Sequence, residues 1–190
     1  MGQKESHLPD EEVARLSTET HFTPEEISQW YKGFIRDCPS GRFTIAEFQQ
    51  IAQSFFPNGN AENFSRFVFN AVDVGPDASL GFEGFIKFLS LASRGTVEDK
   101  ERWAFHLRDV DHSGYITKEN LRLIDDATFS MIADHVPLPN DEDTAEKRSE
   151  KVFNLMDTDK NGRVDVNEFI AACNKDEDIV KALSLQDTVQ

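Results

Sequence analysis

At 190 residues the chain is long enough for one large domain or two of roughly 80 to 100 residues each, and its 38% apolar residues, with 16 Phe against two Tyr and two Trp, exclude disorder throughout. Twenty basic against 35 acidic side chains leave a net charge of −15, with 8 basic and 13 acidic residues before Gly95 and 12 and 22 after it. A field of that sign, strongest in the second half, attracts cations and repels phosphate backbones, which excludes nucleic acid as a partner.

The chain opens Met1, Gly2, Gln3, Lys4, Glu5, Ser6, a match to the pattern for N-myristoylation at Gly2, and has no apolar core of the signal-peptide kind there. Thr23, Pro24 and Glu26 then read as a helix start, and Ile27, Trp30, Tyr31 and Phe34 as the apolar face of that helix. After it comes the first of four twelve-residue repeats with Gly or a small residue two places before an apolar one. They are RDCPSGRFTIAE from Arg36, DVGPDASLGFEG from Asp73, DVDHSGYITKEN from Asp109 and DTDKNGRVDVNE from Asp157. Helical stripes precede the later three: Phe64, Phe67, Val68 and Val72; then Trp103, Ala104 and Leu107; then Val152, Phe153 and Met156. The loop starts are 37, 36 and 48 residues apart, the last interval lengthened by a polar linker around Pro137 to Thr144. The eighth loop position is apolar each time, Phe43, Leu80, Ile116 and Val164, as expected if neighbouring loops pair in a short ribbon.

Cys38 and Cys173 are too few and too far apart for a disulfide framework or a zinc site, which fits a reducing compartment. No apolar run reaches the roughly 18 residues of a membrane span. His7, His21, His106, His112 and His135 are scattered, and no nucleophile elbow or phosphate loop accompanies them, so no enzyme is expected.

A helix–loop–helix calcium motif, the EF-hand, needs side-chain oxygens at positions 1, 3 and 5, a carbonyl at 7, a water held by 9, a bidentate Glu at 12 and Gly at 6 for the turn. The fourth loop has all of these: Asp157, Asp159, Asn161, Gly162, the carbonyl of Arg163, Asp165 through water, and Glu168. One tight Ca²⁺ site is expected there. The third keeps Asp109, Asp111, Ser113, Gly114 and the Tyr115 carbonyl, but Asn120 stands at position 12 and Glu119 is turned away by about 100°. Its expected ion is Mg²⁺ or weakly held Ca²⁺. The second loop, with Gly75, Ala78 and Gly84 at positions 3, 6 and 12, and the first, with Arg36, Cys38 and Pro39 at 1, 3 and 4, read as empty.

QWYKGFIRDCPSG from Gln29, FFPNG from Phe55, SRGT from Ser93, RWAF from Arg102 and ALSL from Ala182 resemble the neuronal calcium sensor family, nearest its frequenin branch, over essentially the whole chain. The resemblance implies an all-α protein of two lobes, each a pair of EF-hands with short β-ribbons between loops. Here the lobes are expected at 1–95 and 96–190. It also implies a myristoylated, cytoplasmic, peripherally membrane-associated sensor that lays an amphipathic helix of a target protein in a hydrophobic groove. The matching groove positions are Trp30, Phe34, Phe48, Ile51, Phe55, Phe85, Leu89 and Trp103. Aromatic residues expected at two more are Ala52 and Arg108, and the chain ends LQDTVQ without the family's usual Tyr. With Lys4 and His7 opposed by Glu5, Asp10, Glu11 and Glu12, membrane attachment through one acyl chain is expected to be reversible. The competing expectation is a largely calcium-independent subunit with one structural metal.

Overall fold

The computed structural model describes residues 7–72, 79–132 and 144–175. Gly2, the loop residues Asp73, Gly75, Asp77 and Ala78, the linker from Pro137 to Asp143, the tail from Ala182 and the Phe55 side chain lie outside that description. Among the described residues the regular elements are helices and two short strands: α1 (Asp10–Glu19), α2 (Pro24–Asp37), β1 (Phe43–Thr44), α3 (Ile45–Phe55), α4 (Glu62–Ala71), β2 (Ser79–Leu80), α5 (Phe82–Arg94), α6 (Val97–Arg108), α7 (Lys118–Ile132), α8 (Ala145–Met156) and α9 (Val166–Lys175). By spatial grouping they form two compact units, Met1–Glu47 with Val72–Lys100, and Phe48–Ala71 with Glu101–Gln190. The halves 1–95 and 96–190 follow loop pairing along the chain, whereas this grouping follows packing, and places most of α3 and all of α4 with the later helices.

In the first unit α2 begins as its sequence dictates. The Thr23 hydroxyl accepts from the Glu26 N–H at 3.3 Å while Glu26 Oε2 accepts from the Thr23 N–H at 2.9 Å, two orphan donors satisfied reciprocally. Ile27 and Phe34 then point into a core with Phe82 and Ile86 of α5. The unread element is α1. Pro9 precedes it, Asp10, Glu11 and Glu12 fill its first turn, where carboxylates complement the helix dipole, and Val13 and Leu16 join the same core with Leu8 and Phe22. Its polar side is fastened to α5: Arg15 forks onto Glu83 with two bonds of 3.0 Å, and Lys87 reaches Glu19 at 2.7 Å. The strands pair antiparallel with Phe43 opposite Leu80, the eighth positions of loops one and two.

The second unit has two cores. One gathers Phe105, Ile116, Leu121, Val152, Phe153, Met156, Val164 and Phe169; the other gathers Phe64, Val68, Leu107, Ile124, Ala127 and Met131, with Trp103 and Phe48 against it. Helix α6 serves both, Phe105 toward the first and Leu107 with Trp103 toward the second. The stripe Trp103, Ala104, Leu107 was therefore half the story, because a helix between two cores has no single apolar face. In the FFPNG stretch, a Cβ on Gly59 would fall on the Met131 carbonyl, and the Asn60 N–H bonds the Ser130 carbonyl at 2.8 Å. Only glycine lets α7 approach there.

Candidate metal centre

The fourth loop joins α8 to α9. Its turn uses Lys160 at φ 59° and Gly162 at φ 83°, conformations that orient successive N–H groups inward. Asp157 Oδ1 accepts from the Asn161 N–H at 3.1 Å and Oδ2 from the Gly162 N–H at 3.0 Å. Asp159 accepts from the Asn161 N–H and side-chain amide at 3.0 and 2.8 Å. Asp165 caps α9, taking the N–H groups of Asn167 and Glu168 at 2.8 and 2.9 Å. Glu168, in the first turn of α9, accepts from the Asp165 N–H at 3.2 Å and the Thr158 hydroxyl at 2.9 Å.

The result is a convergence of charge. One carboxylate oxygen each from Asp157, Asp159 and Glu168 lie within 4.8 Å of one another, an arrangement whose mutual repulsion a hard divalent cation relieves. All the donors are oxygen, the set that suits Ca²⁺. The residues fit that ion, with Asn161 and the Arg163 carbonyl completing the loop positions.

The third loop, between α6 and α7, repeats the backbone. His112 has φ 54° and Gly114 φ 82°, and Asp109 accepts from the N–H groups of Ser113 and Gly114, both at 2.9 Å. Its side chains close differently. The Ser113 hydroxyl bonds the Tyr115 carbonyl at 3.1 Å and holds the Asp111 carboxyl below its ordinary value. Asn120 turns its single amide oxygen to the Thr117 N–H and hydroxyl, at 2.8 and 2.7 Å. Thr117 and Asn120 thus form the reciprocal cap that starts α7, a role legible in their three-residue spacing. Glu119 points to Arg122, with contacts of 2.6 and 2.9 Å, away from the loop as helical geometry requires.

In the first loop Gly41 keeps φ 74° and Glu47 accepts from the Thr44 N–H at 2.7 Å, but Arg36 at position 1 pairs with Asp37 at 2.7 Å and Cys38 is buried. The loops of the second unit are joined by an isolated bridge in which Ile116 and Val164 exchange N–H···O bonds of 2.8 Å. The Arg163 guanidinium lies 4.2 Å over the Tyr115 ring, a cation–π contact between the two position-7 side chains.

The expected groove positions divide between the units. In the first, Trp30 is 41% exposed while Phe34 is only 4% exposed; Phe85 and Leu89 are half-buried at the edge of that core. In the second, Ile51 is 50% exposed, and Phe48 and Trp103 are half-buried. Arg108, which replaces an expected aromatic, is buried. Its burial lowers its pKa to about 10 despite the pull of Asp125. Ala52 is buried as well.

Paired helix–loop–helix units, joined through their eighth loop positions and with carboxylates gathered in the last loop, define an EF-hand protein. The family described as an EF-hand domain pair matches residues 98–173. The chain is 44% identical over 190 residues to "Neuronal calcium sensor 1" of Lymnaea stagnalis and, equally, to that of Aplysia californica, covering 100% of each chain in both comparisons. The chain belongs to the neuronal calcium sensor family.

Proposed function

We propose that the chain is a calcium-responsive adaptor with one tight calcium site, at the fourth loop. The observation that carries this reading is the convergence of Asp157, Asp159 and Glu168, on a loop whose last ligand opens α9. A bound calcium supplies the positive charge that these oxygens lack. Because Glu168 belongs to the exiting helix, a calcium held by it would couple occupancy of the loop to the direction of α9, as in sensors of this type. The partner is an amphipathic helix of a target protein, taken up by apolar side chains such as Trp30, and the acidic chain favours a helix with basic residues on its polar side. Myristoylation at Gly2 provides reversible peripheral attachment to the cytoplasmic face of a membrane; no helix of the described residues is long and apolar enough to cross one.

Calcium titration by calorimetry tests the site. One tight site is expected in the unmodified protein, and Glu168→Gln, which keeps the size but removes the charge and bidentate closure, removes it. Two or more tight sites, or undiminished tight binding in Glu168→Gln, overturn the assignment.

A further inference from the structure

We infer that the third loop, in place of the Mg²⁺ or weakly held Ca²⁺ expected from its sequence, is closed on itself without an ion and serves the fourth loop as a preformed partner. The inference rests on the reading of the fourth loop as the calcium site and adds what its neighbour does.

The two loops share one backbone. Positions 4 and 6 have φ 54° and 82° in the third loop and 59° and 83° in the fourth, and position 1 takes the N–H groups of positions 5 and 6 in both. What differs is how the side chains balance. In the fourth loop three carboxylates meet. In the third, the single proton of the Ser113 hydroxyl lies among acceptors, with Asp109 Oδ1 at 3.3 Å and the Tyr115 carbonyl at 3.1 Å, so position 5 offers a donor that positions 1 and 7 share. At position 12 the neutral Asn120 is 6% exposed and spends its amide oxygen on Thr117. A Glu in that place would bring a second buried carboxylate toward Asp109, itself 4% exposed, and would need a cation to offset the repulsion. Asn makes the same closure without that charge.

A loop that is closed without an ion can hold its neighbour. Ile116 and Val164, both fully buried, stay bridged, and Tyr115 stays under Arg163, so positions 7 and 8 of the fourth loop are fixed before its ligand arrives. Binding then proceeds as a single-site event that does not also have to order a partner loop.

Amide hydrogen exchange read by NMR on the full chain tests this, in chelator, in Mg²⁺ and in Ca²⁺. The Gly114 and Thr117 amides, bonded to Asp109 and Asn120, are expected to be protected by about tenfold or more in chelator. Either ion should change them less than about twofold, whereas Ca²⁺ slows the Gly162 and Asp165 amides by about tenfold or more. Gly114 and Thr117 slowing together with Gly162 on adding Ca²⁺, or slowing in Mg²⁺, overturns the inference. Protected Gly114 and Thr117 with Gly162 unresponsive upholds the closed third loop and refutes the calcium assignment of the fourth. Thr117→Val keeps the branched shape and removes the hydroxyl that Asn120 uses. It should weaken calcium binding at the fourth loop about threefold to tenfold, and unchanged affinity overturns the partner role.

Discussion

Position 6 of the fourth loop shows how little separates a loop that can gather ligands from one that cannot. Gly162 sits at φ 83°, and a Cβ built there meets nothing, so the cost of Gly162→Ala is conformational alone, about 1 to 2 kcal/mol. Because the Gly162 N–H holds Asp157 in place, that cost should appear as calcium affinity weakened roughly tenfold in calorimetry. Gly33 provides the contrast. It lies inside α2, its Cβ also meets nothing, and its backbone is helical, so Gly33→Ala should raise unfolding free energy by about 0.5 to 1 kcal/mol without changing calcium affinity. Equal effects of the two substitutions on calcium binding would show that conformation at position 6 is not what shapes the site. At this scale much could be read from the chain itself, because each ligand of the fourth loop occupies a fixed place in a twelve-residue pattern. Asn120 reads first as a missing carboxylate. Its capping partner Thr117 stood at the right spacing, but which of two roles a side chain takes is settled by where its oxygen points.

Among the elements, α1 is the one periodicity left unread. It offers only two buried positions, Val13 and Leu16, too short a stripe to stand out from a polar segment, and its attachment to the rest of the unit depends on groups distant in sequence. The same holds for the join after it, where Arg94 of α5 takes both oxygens of Glu26, at 2.6 and 2.9 Å, and lies 4.6 Å over the Phe22 ring. Arg94 first, and the Thr23 N–H second, hold the Glu26 carboxyl at about 2 against an ordinary 4.5. A carboxyl depressed by folding stabilises the native state above its unfolded value, and that contribution is lost as pH falls through the folded value. The window is therefore from about 4.5 down to about 2. Glu26→Gln should lower stability near neutrality and flatten the acid limb of the unfolding curve inside that window, measured by circular dichroism at a series of pH values. Because the pair is exposed, the change should be small and should shrink in high salt. An acid limb identical to that of the parent would show that the join contributes nothing to folding.

At the scale of the whole chain, the repeat made the all-α architecture and the pairing of the eighth loop positions legible, whereas the grouping of α4 with α7 was not, since it rests on Phe64 and Val68 meeting Ile124, Ala127 and Met131, and on the close approach at Gly59, between segments about 60 residues apart rather than on any local pattern. Net charge is the property of the whole chain that bears most directly on function. At −15, the protein is repelled by an anionic lipid surface, and Lys4 and His7 are outnumbered near the proposed acylation site by Glu5, Asp10, Glu11 and Glu12, so the sequence around Gly2 supplies no basic run to assist the proposed acyl chain. One myristoyl group alone gives a partition constant on the order of 10⁴ M⁻¹. Co-expression with an N-myristoyl transferase should add one myristoyl group to the parent chain and none to Gly2→Ala, read by intact mass. The acylated protein should sediment with zwitterionic vesicles at about that constant, and more weakly with vesicles rich in phosphatidylserine. Raising the salt should then improve binding to the anionic vesicles, because screening removes a repulsion. Tighter binding to anionic than to zwitterionic vesicles, falling as salt rises, would contradict the charge argument and point to a basic surface that the acyl chain works with.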